Sequence, residues 1–533
     1  MKHRRWTTGS IGFILIFGLI CGQAASQAPP QQKPAAETPA KTPPPPPAPE
    51  KPLVVTHRTI SIGGKPVAYT ATVGALTVNK RDEKPGANVF FMAYTQDGIK
   101  DLSARPVTFV FNGGPGSSSV WLHMGAWGPR RVQMTDEGFS VKPPYGLADN
   151  ENSLLDVTDL VFIDPVSTGY SRPLPDEGKS QFHGVAEDVA SVGEFIRLYV
   201  TRFERWASPK FILGESYGTT RAAGLSGFLQ GGATGMYLNG IILVSSVLDF
   251  QTIIFTPGNN LTYVLYLPHY TATAWYHKKL APELLARNLK DVLKEAEAFA
   301  AGEYQLALFQ GNRLAGDEAE RIGAKVAAYT GLSREYVRES NLRIRHDRFV
   351  KELRRTDLET VGRLDSRFKG RDADAAGENY EFDPSSAALQ GAFATMFNKY
   401  VRTELGYKED LPYAIFGNVY PWNFLSRPED AAPSPDMPNQ TWARGLGLNV
   451  AETLRLAMSE NPFLQVFVAN GYYDGATPYF GTEYTFSQIG FNREFEGRVR
   501  MGYYEAGHMM YIHKPSIVKL KQDLAEFIKA AAK

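Results

Sequence analysis

Three short stretches, far apart in the chain, carry the residue types of nucleophilic catalysis. Ser216 stands in Gly214-Glu215-Ser216-Tyr217-Gly218, Asp474 in the loop Gly471-Tyr472-Tyr473-Asp474-Gly475, and His508 in Glu505-Ala506-Gly507-His508-Met509. A serine hydroxyl is a weak nucleophile near neutral pH. It needs an imidazole to take its proton and a carboxylate to hold that imidazole. Each residue has a plainer reading by itself: a serine in a glycine-rich turn, an aspartate preceding a turn glycine, a loop histidine. Glu505 and His513 are local rivals for the acid and the base, and both rank below Asp474 and His508.

Context separates these readings. Phe211-Ile212-Leu213 is strand-like and the residues after Ser216 are helical in pattern, which is the setting of a nucleophile elbow. The flanking glycines leave room for its sharp turn. Asp474 and His508 each follow an apolar strand-like run, in the order serine, acid, histidine that such an elbow requires. A fourth stretch, Asn112-Gly113-Gly114-Pro115-Gly116, follows the run Val107–Phe111. No side chain intrudes there, so backbone N–H groups can face a reacting carbonyl. The N–H groups of Gly114 and Tyr217 are the expected oxyanion hole.

These residues need a scaffold, and the hydrophobic pattern describes one. The runs 107–111, 160–164, 211–213, 240–246 and 464–470 are apolar and β-rich, as strands buried on both faces are. Helical patterns lie between several of them, at 185–203 for instance, and a last run ends near Ala506. Alternating strand and helix predicts an α/β fold with a mainly parallel sheet covered by helices. Shorter alternating segments before residue 100 predict antiparallel strands joined by turns. Residues 250–440 break the rhythm with Ala, Leu, Glu, Lys and Arg at helical spacing, which predicts an inserted, mainly helical cap between core segments 54–249 and 441–533.

The bulk composition narrows the function. A hydrophobic fraction of 43% with 21% charged residues describes a globular protein, and Lys+Arg 57 against Asp+Glu 56 gives no reason to expect a nucleic-acid partner. Neither a phosphate-binding GxxxxGK[ST] nor an HExxH pattern occurs, and the nine histidines are scattered, so no metal or organic cofactor is expected. Residues 1–26 have a basic start (Lys2, His3, Arg4, Arg5), an apolar run (Ile11 to Ile20) and small residues after it. That pattern predicts an export signal, and a periplasmic or secreted protein with no stable membrane insertion once the signal is removed; an uncleaved anchor is the alternative. The only cysteine, Cys21, sits at its end. Lipid attachment there is the second alternative, with bulky Ile20 against it, and cleavage beyond Cys21 leaves a chain without disulfides. Residues 27–53 form a proline-rich linker with five consecutive prolines, Pro43 to Pro47.

Taken in order, FNGGPGSSS (111–119), FIDPVSTGYS (162–171), ILGESYGTT (212–220), the Asp474 loop and EAGHM (505–509) resemble the serine carboxypeptidases, peptidase family S10, here as an exported, bacterial-type member. The resemblance implies an α/β-hydrolase fold with a cap insertion. It also implies release of C-terminal amino acids from peptides with a free C-terminus, through an acyl-enzyme and without a cofactor. By position it implies Ser216, Asp474 and His508 as triad, Gly114 and Tyr217 as oxyanion hole, and Asn112, Gly113 and Glu215 as the groups holding the substrate carboxylate. Two carboxylates share a small site only if one keeps a proton, so Glu215 implies a preference for acidic pH. The chain departs from the family at Ala126, where a second glutamate is usual, at Ser117, where many members have cysteine, and after Asp164, where a glutamine is common. Ala126 keeps an esterase or acyltransferase on the same scaffold in view. A catalytically silent binding protein is the more distant alternative.

Overall fold

Strand residues 87–94 alternate in the way a sheet covered on both faces demands. Val89, Phe91 and Ala93 join one hydrophobic cluster while Phe90, Met92 and Tyr94 join another, and all six are buried. The computed structural model describes residues 51–80, 82–175, 177–231, 234–424, 447–490, 495 and 497–533. All of them fall within one compact unit, Pro49–Lys533. The expected signal with Cys21, most of the proline-rich linker and the last part of the expected cap lie outside the described residues.

The central sheet takes strands β1 (Val54–Ile62), β2 (Lys65–Asn79), β3 (Pro85–Gln96), β4 (Val107–Phe111), β5 (Asp159–Ile163), β6 (Lys210–Glu215), β7 (Gly240–Val244), β8 (Gln465–Gly471) and β9 (Val499–Tyr504). Their spatial order is β1-β2-β3-β5-β4-β6-β7-β8-β9, with a short piece, Arg172–Pro173, beside β3. The first three are antiparallel, as is the β3–β5 pair. From β5 to β9 every pairing is parallel. The chain therefore crosses over between strands, and their C-terminal ends share one edge.

Helices α1 (Val185–Arg202), α2 (Tyr217–Gln230) and α4 (Ala451–Glu460) cover one face through residues such as Val192, Ile196, Leu225 and Leu454. On the other face lie α5 (Lys514–Ala531), the π-helical turn Leu122–Trp127 and the helix Pro384–Lys399. Each fully buried Leu, Ile or Phe contributes roughly 1.5–3 kcal/mol of transfer free energy, so two such layers hold a sheet whose strands expose little polar surface.

Between β7 and β8 no described residue joins the central sheet. The helices Leu261–Tyr276 (α3), Leu289–Phe299 and Gly316–Thr330 instead share a core of their own with Val337 and Phe349. Within this region, residues 333–361 are not one continuous helix. They are broken into Arg334–Glu339 and His346–Glu352, with Asn341 and Leu342 at φ 49° and 62°. The turn lets Val337, Leu342 and Phe349 all reach the same core, which one straight helix could not do. Beyond it, residues 362–368 are not helical at all, and they run across the loops that follow β8 and β9.

Candidate active site

Ser216 occupies the point where β6 stops and α2 starts. Its backbone is at φ 60°, ψ −131°, and its N–H is tied to Val244 O at 3.0 Å, the end of the neighbouring strand. A non-glycine residue in this strained region holds its place only because the surroundings enforce it. The flanking glycines allow that approach: a Cβ at Gly214 would strike the Gly218 carbonyl, and one at Gly218 would lie 3.0 Å from Phe111 O. Gly113 packs as closely, since a Cβ there would lie 2.5 Å from Tyr217 N. Tyr217 begins α2, where an N–H has no acceptor within its own helix. The Asn112–Gly113 backbone and the Tyr217 N–H thus stand side by side next to Ser216.

Asp474 and His508 follow β8 and β9. His508 Nδ1 donates to Asp474 Oδ2 at 2.8 Å, and neither side chain is more than marginally exposed. Asp474 also accepts from Ala476 N (2.8 Å), Thr477 N (2.9 Å) and Thr477 Oγ1 (2.7 Å). Burial alone would raise its pKa, but the His508 ring and these donors outweigh it and hold the carboxyl below its ordinary value. Burial acts on His508 in the opposite sense; Asp474 and then Glu215 outweigh it and leave the imidazole above its ordinary value. The ring is thereby oriented with Nε2 free of the aspartate. Among the described residues no hydrogen bond joins the Ser216 hydroxyl to this ring, a contact that commonly tightens only when substrate binds.

The positioning of His508 comes from an unexpected quarter. Its N–H donates to Leu364 O at 2.7 Å, and Gly507 N donates to Asp365 Oδ2 at 3.1 Å. Gly475 N donates to Arg363 O, and Ser366 N to Tyr473 O. Residues 363–366, inside the insertion, therefore pin both loops at once, and no local pattern in LDSRF announces it. Ser245, just past β7, adds a bond from its hydroxyl to His508 O at 2.7 Å.

Asn112 and Glu215 meet beside the elbow. Asn112 Oδ1 accepts from Leu122 N at 3.0 Å, which turns its amide nitrogen the other way. Its carbonyl accepts from Arg221 Nη1 at 2.8 Å, and Arg221 Nε donates to Asp188 Oδ2 at 2.7 Å. Tyr217 OH donates to the same carboxylate at 3.2 Å, so one buried ion pair braces both the glycine-rich loop and the first residue of α2. Sequence patterns missed this pair, because helices α1 and α2 each contribute one member. Glu215 is buried, and its Oε2 has no hydrogen-bond partner. Burial pushes its carboxyl up to about 7, against the pull of His508, Tyr511 and Asn112. Asn112 Nδ2 and the Tyr511 hydroxyl are likewise buried without partners.

The remaining sequence candidates lie elsewhere or have settled partners. Glu505 is exposed, and His513 Nδ1 bonds Ser516 Oγ at 2.8 Å. Ser117 accepts from Trp121 Nε1 at 3.1 Å and donates to Ser118 O at 3.0 Å, so a hydroxyl is satisfied at that position. Ala126 is fully buried. Among the described residues no group of three or more His, Cys, Asp or Glu is arranged to hold a metal ion, and no helix is long and apolar enough to cross a membrane. A surface cavity of about 800 Å³ lined by Lys80, Phe182, Glu194 and Phe228 contains none of the residues above, so its volume does not mark it as their binding site.

Residues 64–291 match the family model described as serine carboxypeptidase. A segment is 32% identical over 138 residues to the carboxypeptidase Y homolog of Arthroderma benhamiae. Another alignment gives 33% identity over 145 residues with the pheromone-processing carboxypeptidase KEX1 of Saccharomyces cerevisiae. Each covers 26% of this chain but only 25% and 19% of those proteins, so the chain spans a quarter or less of the curated relatives it matches. In three dimensions it superposes on the crystal structure of KEX1(delta)P, a prohormone-processing carboxypeptidase from Saccharomyces cerevisiae, with a TM-score of 0.51 and 15% identity, covering 87% of this chain and 91% of that one. That likeness concerns the architecture, which is the α/β-hydrolase fold. Over residues 64–291, somewhat less than half of its length, the chain is similar to the serine carboxypeptidase family.

Proposed function

We propose that this protein is a serine-type carboxypeptidase that removes the last residue from peptides with a free C-terminus. The observation that carries the proposal is the buried Glu215 carboxyl, which adjoins Ser216 and has an unpaired oxygen near the unpaired Asn112 amide. A buried acid costs stability, and the shared proton of an acid–carboxylate pair is one chemistry that requires it.

In this reading Ser216 Oγ attacks the carbonyl of the last peptide bond while His508 Nε2 accepts its proton. Asp474 stabilises the imidazolium, and the N–H groups of Gly114 and Tyr217 receive the developing oxyanion. His508 then gives the proton to the leaving amine, and the acyl group remains on Ser216. Water, deprotonated by the same imidazole, releases it. The substrate's terminal carboxylate rests on Asn112, the backbone of Gly113 and protonated Glu215. The basic, apolar and small-residue pattern of residues 1–26 supports export to the periplasm or beyond.

The test is hydrolysis of an N-blocked dipeptide against its C-terminal amide and ester between about pH 4 and 8, which brackets carboxyl and imidazole titration. Ser216→Ala serves as control. Release of the free amino acid, declining toward pH 8 where the amide and ester are still cleaved, and absent in the control, is the expected result. Cleavage of the ester alone, at every pH, would replace this function with an esterase or acyltransferase.

A further inference from the structure

Tyr511 takes no part in the roles assigned so far. It lies three residues past His508, in the 3-10 turn Met510–Ile512, and its side chain is fully buried. Its hydroxyl has no hydrogen-bond partner. Leaving such a group buried and unpaired costs about 1–3 kcal/mol, so its retention needs a reason.

The surroundings supply one. The ring lies against Gly125, where a Cβ would come within 2.9 Å of Tyr511 Cε2. Arg131 clamps the two backbones together, with Nε donating to Gly125 O at 3.0 Å and Nη2 to Tyr511 O at 2.7 Å. Tyr511 is thus held against the turn that carries Ala126, the position at which a second carboxyl is missing. Its hydroxyl interacts with both Glu215 and Asn112. Three buried polar groups without partners therefore converge: a phenol from the loop after β9, an amide from the loop after β4 and a carboxyl from the end of β6. With Glu215 protonated, all three are donors, and a carboxylate has about four lone pairs to receive them.

We propose that Tyr511 is a specificity residue whose hydroxyl donates to the terminal carboxylate of the substrate, in place of the carboxyl absent at position 126. The inference rests on the carboxypeptidase reading and extends it. A phenol stays a donor throughout the working range, because burial and the Glu215 charge push its ionisation well above the ordinary value. Free-acid binding is then governed by one carboxyl rather than a pair. The charged groups that act on that carboxyl are His508 after β9 and Asp474 after β8, and Arg363 of the insertion acts on His508 in turn.

Tyr511→Phe keeps the ring against Gly125 and removes only the hydroxyl. For the N-blocked dipeptide, kcat/KM should fall about 10- to 100-fold, the value of a hydrogen bond to a charged group, mainly through KM. The C-terminal amide should be cleaved as before. Loss of the donor also favours the protonated form of Glu215, so the alkaline decline of free-acid hydrolysis should move to higher pH. Equal losses for acid and amide, or no loss for either, would overturn the assignment while leaving the carboxypeptidase reading intact. A wild-type protein that never cleaves the free acid would overturn both. A two-proton slope on the alkaline limb of the wild-type profile would also contradict the assignment, because it would require a second carboxyl at the site.

Discussion

Glu215→Gln turns the buried carboxyl into a measurement. The group has an ordinary pKa of 4.5, and the fold raises it to about 7 through burial. Between those values the unfolded chain releases a proton that the native state retains, so stability falls as pH rises. The sign follows from a folded pKa above the unfolded one: the contribution is complete below about pH 4.5 and lost by about pH 7. At 1.36 kcal/mol per pH unit the loss amounts to roughly 3 kcal/mol. Glutamine has no proton to retain. The unfolding free energy of the variant relative to wild type should therefore rise by about 3 kcal/mol from pH 4.5 to pH 8. Asp164, also buried and pushed up to about 7, has its own pH dependence, which cancels in the difference. Urea unfolding of both proteins at a series of pH values gives the answer. A difference that stays constant across the range would refute the claim that Glu215 is held protonated by burial. Activity provides a second readout: the alkaline decline of free-acid hydrolysis should vanish in the variant. Its acid limb on an ester should move to lower pH, because the Glu215 charge that raises the His508 pKa is gone.

Three further perturbations have definite expectations. Asp474→Asn should lower kcat on an ester by about 10⁴-fold with little change in melting temperature, since the amide no longer holds the catalytic tautomer of His508. Arg221→Met should destabilise the protein by about 3–5 kcal/mol in urea, because Asp188 is left buried and uncompensated. Gly113→Ala forces a Cβ to within 2.5 Å of Tyr217 N; pushing the loop off the elbow should cost about 100-fold or more in kcat/KM, read by initial rates on the ester.

Much of the scaffold was legible in the sequence, for reasons local to each segment. Runs such as Val107–Phe111 and Gly240–Val244 are apolar throughout because both faces are covered, and they emerge as strands within a residue or two of the pattern. Gly214, Gly218 and Gly113 are visible as glycines, and the contacts around Ser216 leave no room for a side chain at Gly113 or Gly214 and little at Gly218. The change of rhythm after β7 was legible too. The internal breaks of that region were not, because Asn341 and Leu342 turn the chain to satisfy a core assembled from distant helices.

What the sequence by itself determined is the set of chemically able residues and their order: Ser216, Asp474, His508, and Asn112 with Glu215 beside the elbow. Spacing and residue type suffice there, since each sits at a strand end whose pattern is written in its neighbours. Only the tertiary structure decided how they are held and tuned. Asp365 anchors the His508 loop, Arg221 and Asp188 brace Asn112 and Tyr217, and Tyr511 reaches Glu215 from a distant turn. The raised pKa of Glu215 belongs to this second class as well. Burial and long-range contact arise from the whole packed fold, and no short stretch of sequence contains them.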